Sequence, residues 1–121
     1  MAPSRPRTLV TVVAAALASG LALGACGGPS AADRDAVTHT VRMSGTSFVP
    51  AEITITAGDR VTWLNEDYFP HTATSEAAGF DSGAVAAGDS WTVVIDRPGT
   101  FDYVCSLHPP MVGRLIVHDT E

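Results

Sequence analysis

Cysteine, histidine and methionine recur at intervals of three residues in Cys105-Ser106-Leu107-His108-Pro109-Pro110-Met111. A thiolate, an imidazole and a thioether form a soft donor set that suits copper better than a hard cation, because sulfur matches Cu(I) while nitrogen also serves Cu(II). One more nitrogen would complete a His₂Cys set with an axial methionine. His71, in Phe69-Pro70-His71-Thr72, is the obvious source. Each residue alone has a plainer reading. A solitary Cys-x-x-His is a weak signal, a methionine usually fills a core, and a loop histidine is usually solvated. His39 and His118 belong to no such local cluster and read as structural or surface residues, and Met43 reads as packing.

The first residues bear on whether Cys105 has a partner. Arg5 and Arg7 precede an apolar, alanine-rich run from Thr8 to Leu23, the pattern of an export signal. The run is near the lower length limit for a membrane-spanning helix. However, Leu23-Gly24-Ala25-Cys26 resembles the lipobox of bacterial lipoproteins, which implies removal of residues 1–25 and a lipid on Cys26. The plainer alternatives are an ordinary signal with a chance cysteine, or a Cys26 to Cys105 disulfide with one end in a terminal tail. Lipidation would leave Cys105 without an intramolecular partner in an oxidising compartment, which is unusual for a structural cysteine. The expected organisation is a signal peptide over residues 1–25, a small, polar tether over 26–36, and one folded domain over 37–121. The protein would then be exported and held by its N-terminal lipid to the outer face of the cell membrane, or in the periplasm.

The ligands need a scaffold of strands. Val37, His39, Val41 and Met43 alternate with polar residues, as do Ile53 and Ile55, then Val61 and Trp63. Ala57-Gly58-Asp59 separates the last two runs, which reads as a hairpin. Trp91, Val93 and Ile95, then Pro98-Gly99, then Phe101, Tyr103 and Cys105 repeat the scheme, with Cys105 pointing inward. The last strand is expected over Arg114–His118, entered through a turn at Gly113. Seven or eight short strands and no convincing helix indicate an all-β, antiparallel Greek-key sandwich. Cys105 at a strand end would let the next loop fold over one end of the sandwich, with Pro70, Pro109 and Pro110 stiffening the ligand loops.

Together these features resemble the cupredoxin family of type 1 blue copper proteins, in its short-loop, amicyanin- and plastocyanin-like branch. Phe48-x-Pro50, Val61-x-Trp63-x-Asn65, Pro70-His71, Phe80-x-Ser82-Gly83, Tyr103-x-Cys105, His108, Met111 and Gly113 carry the likeness, which covers about residues 45–118. The resemblance implies one mononuclear type 1 copper held by His71, Cys105, His108 and Met111, one-electron transfer, and an electron path through the exposed edge of His108. Family members often carry Asn after the upstream histidine, where it ties the two ligand loops. Thr72 stands there in this sequence.

Composition narrows the partners. The chain has no lysine, seven arginines and 13 acidic residues, a formal charge of −6, so no basic stripe suits nucleic acid. The expected function is an electron carrier, a monomer meeting a redox donor and acceptor through an apolar patch of Phe69, Pro109 and Pro110 beside His108. Glu66 and Asp67 are candidates to steer a basic partner. The alternative is an extracytoplasmic copper chaperone or store, although a single compact ligand set favours the carrier. An enzyme would need further copper sites, and only two histidines remain for them.

Overall fold

The computed structural model describes residues 34–121 and Gly20; the expected signal segment, Cys26 and the tether up to residue 33 lie outside the described residues. Among the described residues nine strands follow one another: β1 (Thr38–Ser44), β2 (Ser47–Val49), β3 (Glu52–Thr56), β4 (Asp59–Asn65), β5 (Thr74–Ser75), β6 (Phe80–Asp81), β7 (Ser90–Ile95), β8 (Gly99–Cys105) and β9 (His108–His118). They form two sheets, ordered β2-β1-β4-β7 and β3-β9-β8-β5-β6. The fold is an all-β sandwich of two mixed sheets, with no helix among the described residues.

Alternation decides which side chains enter the core. Val41, Met43, Val61 and Trp63 from the first sheet join Ile55, Phe101, Tyr103, Leu115 and Val117 from the second in one buried cluster. Trp63 meets Tyr103 edge-on at 5.4 Å and Phe80 at 5.2 Å, while Phe48 meets Tyr103 at 4.6 Å. Met43 is fully buried packing, as its parity with Val41 implies.

Pairing departs from expectation in three places. β3 and β4 are not a hairpin: β3 runs parallel to β9 in one sheet and β4 parallel to β1 in the other. β7 and β8 likewise belong to opposite sheets. Period-two alternation specifies which face of a strand is apolar, and a glycine turn specifies a reversal; neither says whether the returning strand pairs with its predecessor or crosses the sandwich. Finally, no turn occurs at Gly113. β9 begins at His108, and Gly113 lies within it, directly opposite Tyr103. Glycine is required there because a Cβ would collide with the Tyr103 ring.

One end of the sandwich is closed by Asp59 at the start of β4. Its buried carboxylate accepts from Val37 N–H (3.0 Å), Thr56 N–H (3.0 Å) and Arg34 (2.8 Å), and it bonds His39 Nε2 at 2.9 Å. Arg34 also donates to Ala57 O at 2.9 Å, so the chain is held against the domain before β1 begins. His39 thus has a structural partner, and His118 is exposed.

Candidate metal centre

The other end of β4 organises the His71 segment. Asn65 is fully buried, and its amide donates to Phe69 O (2.8 Å) and Val85 O (2.9 Å) while its oxygen accepts from Asp67 N–H (2.9 Å). All of its principal bonding capacity is therefore spent on shaping one loop. His71 is fixed by a two-way backbone bridge to Val85, with N···O distances of 3.1 and 2.7 Å. Its ring is completely buried, and Nε2 lies 2.7 Å from Asp67 Oδ2. A carboxylate can only accept, so Nε2 carries the proton and Nδ1 keeps its lone pair free.

Asp67 is anchored in turn by Gly45 N–H (2.7 Å) and Thr46 N–H (3.1 Å). Burial pushes its pKa up, but these donors and His71 outweigh burial and hold the carboxyl below its ordinary value. The β1–β2 turn is thereby made part of the site, with Thr46 in a left-handed conformation (φ 58°) that a β-branched residue rarely adopts.

Cys105 ends β8 facing inward, fully buried, and makes no disulfide among the described residues. Its Sγ lies 3.7 Å from His71 Nδ1 and 3.7 Å from His108 Nδ1. The three ligand atoms all fall within 4.8 Å of one another. For metal–ligand bonds of about 2.0–2.3 Å, a nitrogen–sulfur edge of this length subtends an angle of about 120°, that of a trigonal His₂Cys set. Met111 follows on β9 and is buried, on the same strand as His108. The donor types and spacing therefore fit a type 1 copper ion.

A second group of bonds joins the two ligand segments. Thr72 N–H donates to Cys105 Sγ at 3.3 Å, and Thr72 Oγ1 accepts from Ser106 N–H at 2.8 Å. The hydroxyl of Thr72 thus ties the two ligand loops, as the resemblance assigns to asparagine.

The chain matches a family model described as a cupredoxin-like domain over residues 9–117. It belongs to the cupredoxin family. Amicyanin-alpha of Methylorubrum extorquens is 29% identical to this cupredoxin over 82 residues, covering 64% of this chain and 69% of the relative. Chloroplastic plastocyanin of Tetradesmus obliquus is 37% identical over 83 residues, covering 58% of this chain and 57% of the relative. Among solved structures, the Cu(I) form of an amicyanin variant superposes with a TM-score of 0.63 at 25% identity, covering 74% of this chain and 90% of that one. A copper-containing nitrite reductase from Thermus scotoductus superposes with a TM-score of 0.64 at 28% identity, but the shared part is only 23% of that protein. His71, Cys105, His108 and Met111 form the type 1 copper site of this cupredoxin.

The surroundings of His108 are apolar. Its ring is half-buried, 5.4 Å from Phe69 and 5.0 Å from His71. Tyr68 (98% exposed), Phe69 (42%) and Leu107 (50%) are open to solvent, as are Pro109 and Pro110. A cavity of about 310 Å³ is bounded by Thr46, Leu107 and residues 108–111. The two acidic residues expected to steer a partner are already engaged. Glu66 makes a two-pronged pair with Arg42 (2.8 and 2.7 Å), and Asp67 faces His71.

The four ligands were legible because three are neighbours in sequence and the fourth sits beside a proline. Asn65 and Asp67 were not read as loop organisers, although Asn65-Glu66-Asp67 just after an apolar strand is the kind of polar run that builds turns.

Proposed function

We propose that this cupredoxin is an electron carrier working outside the cytoplasm, with Phe69, Pro109 and Pro110 framing the surface through which His108 passes electrons. The observation that supports this most directly is the fixing of the ligand atoms by bonds that involve no metal: Asp67 to His71, Thr72 to Cys105 and Thr72 to Ser106. Copper bound here supplies a Cu(II)/Cu(I) couple of one electron. The protein's part is to hold the same donor positions in both oxidation states, so that little nuclear rearrangement accompanies the transfer. Burial of Cys105 and His71 excludes water, and the half-buried His108 ring leaves one edge through which a partner can couple. Transient redox contacts are small, and a patch of exposed aromatic, leucine and proline side chains suits them.

The same reading takes residues 1–25 as an export signal, 26–36 as a tether with lipid on Cys26, and 37–121 as the domain, acting as a monomer. Cys26→Ala should move the protein out of the membrane fraction; retention there would reject lipid anchoring through Cys26.

The deciding experiment adds Cu(II) to the full chain and records the visible spectrum beside Cys105→Ala. An intense red-region band, absent in the variant and bleached reversibly by reductant, is the expected result. Stable copper binding without that band or without reversible reduction would overturn electron transfer in favour of copper delivery or storage.

A further inference from the structure

Thr72 Oγ1, which receives Ser106 N–H, also lies 3.0 Å from Ser106 Oγ and 3.0 Å from Thr74 Oγ1. Thr74 Oγ1 lies in turn 3.1 Å from Asp81 Oδ1, its cross-strand neighbour between β5 and β6. Ser106, Thr72 and Thr74 therefore form an unbroken file of hydroxyls ending on an exposed carboxylate, none of which is a ligand.

Proton bookkeeping along the file has one solution. A hydroxyl has one proton to give, and a carboxylate can only accept. Thr74 must therefore donate to Asp81, Thr72 must donate to Thr74, and Ser106 Oγ must donate to Thr72. Reversing the file would set a hydroxyl lone pair against the carboxylate. With this polarity, both Ser106 donors, N–H and O–H, converge on the two lone pairs of Thr72 Oγ1. The residue after Cys105 is thus clamped to the residue after His71, while Thr72 N–H remains free for the thiolate.

We propose that Asp81 is a positioning residue for the copper site, acting through Thr74 and Thr72 to fix the orientation of Ser106 and hence the end of β8 at Cys105. This rests on the reading of His71, Cys105, His108 and Met111 as a redox copper centre. Its local effect is nevertheless measurable without metal.

The test compares Asp81→Ala, Asp81→Asn, Thr74→Val and the Asp81→Ala/Thr74→Val double variant in the full chain. In the metal-free protein the readout is amide hydrogen exchange at Ser106. In the Cu(II)-loaded protein the readouts are the position of the thiolate–copper band and the Cu(II)/Cu(I) equilibrium against a mediator of fixed potential. Asp81→Ala and Thr74→Val should each speed Ser106 exchange by about three- to tenfold, the equivalent of one hydrogen bond, and move the redox equilibrium in the same direction. The double variant should be no worse than either single one, because a broken file cannot be broken twice. Asp81→Asn should resemble the parent, since its amide oxygen can still accept from Thr74 and from Gly83 N–H, which now bonds Asp81 Oδ1 at 2.9 Å.

Unchanged Ser106 exchange in Asp81→Ala would overturn the proposal. So would additive effects in the double variant, or an Asp81→Asn effect equal to that of Asp81→Ala, which would show a distant charge rather than a hydrogen-bond chain. Should Thr74→Val fail to fold, Thr74→Ala serves the same comparison. Absence of the thiolate–copper band in the parent would reject the copper reading but leave the exchange experiment intact.

Discussion

Tyr103 packs its ring against Trp63, Phe48 and Gly113, but neither its hydroxyl nor the Trp63 indole N–H makes a well-formed hydrogen bond. Burial pushes the phenol up to about 12, an effect the nearby indole N–H partly offsets. The hydroxyl therefore contributes little to stability, whereas the space beneath the ring contributes much. Tyr103→Phe should leave stability within about 1 kcal/mol of the parent or raise it, while Gly113→Ala should cost about 3 kcal/mol through forced displacement of the ring. Denaturant midpoints of the two variants check both values. A large loss in Tyr103→Phe would mean that the hydroxyl has a partner after all. At this scale the ligands could be read from the sequence because their donor types are rare and closely spaced. Thr74 and Asp81 could not, since serine, threonine and aspartate are common in loops and their link to Ser106 runs through Thr72, whose bonds to Ser106 join segments 34 residues apart in the chain.

Strand pairing explains what was and was not legible in the elements. Alternation located β1, β4, β7 and β8 well, because a half-buried strand must show period two. The crossing of β3 to β4 between sheets left no such mark. Its stabilising group is Asp59, whose role depends on donors from Arg34, Val37 and His39 converging from a different segment. Burial raises its pKa, but the Thr56 N–H, His39, the Val37 N–H and Arg34 outweigh burial and hold the carboxyl well below the usual carboxylate range. A depressed carboxyl stabilises the fold fully above its unfolded value of about 3.9 and loses that contribution as pH falls below it. Unfolding free energy should therefore drop between about pH 4 and pH 2. Asp59→Asn should cost about 2–4 kcal/mol at neutral pH and flatten this acid limb. Equal acid sensitivity in the variant would place the titrating group elsewhere. Joint substitution of His39 and His118 should leave the thiolate–copper band unchanged, as both lie outside the ligand set, and any loss of colour would contradict that.

For the whole molecule, 13 acidic residues against seven arginines make a field that attracts cations. Glu66 adds little to it locally because Arg42 neutralises it in place. Electron exchange with a small cationic complex should therefore slow as ionic strength rises from about 0.01 to 0.15 M, where the Debye length shortens from about 30 to 8 Å. Glu66→Gln should alter the low-salt rate less than twofold. A salt-independent rate would remove the case for steering by net charge. Shape adds a constraint that charge cannot. β4, seven residues long, carries Asp59 at one end and Asn65 at the other, about 20 Å apart, so the closure that grips Arg34 and the loop that grips His71 face opposite ways. A partner arriving at the Asp59 end meets a thickness of insulation nearly the length of the sandwich. On the proposed path through the His108 edge, the molecule conducts at one pole only, and a fruitful encounter is one in which the partner has found that pole.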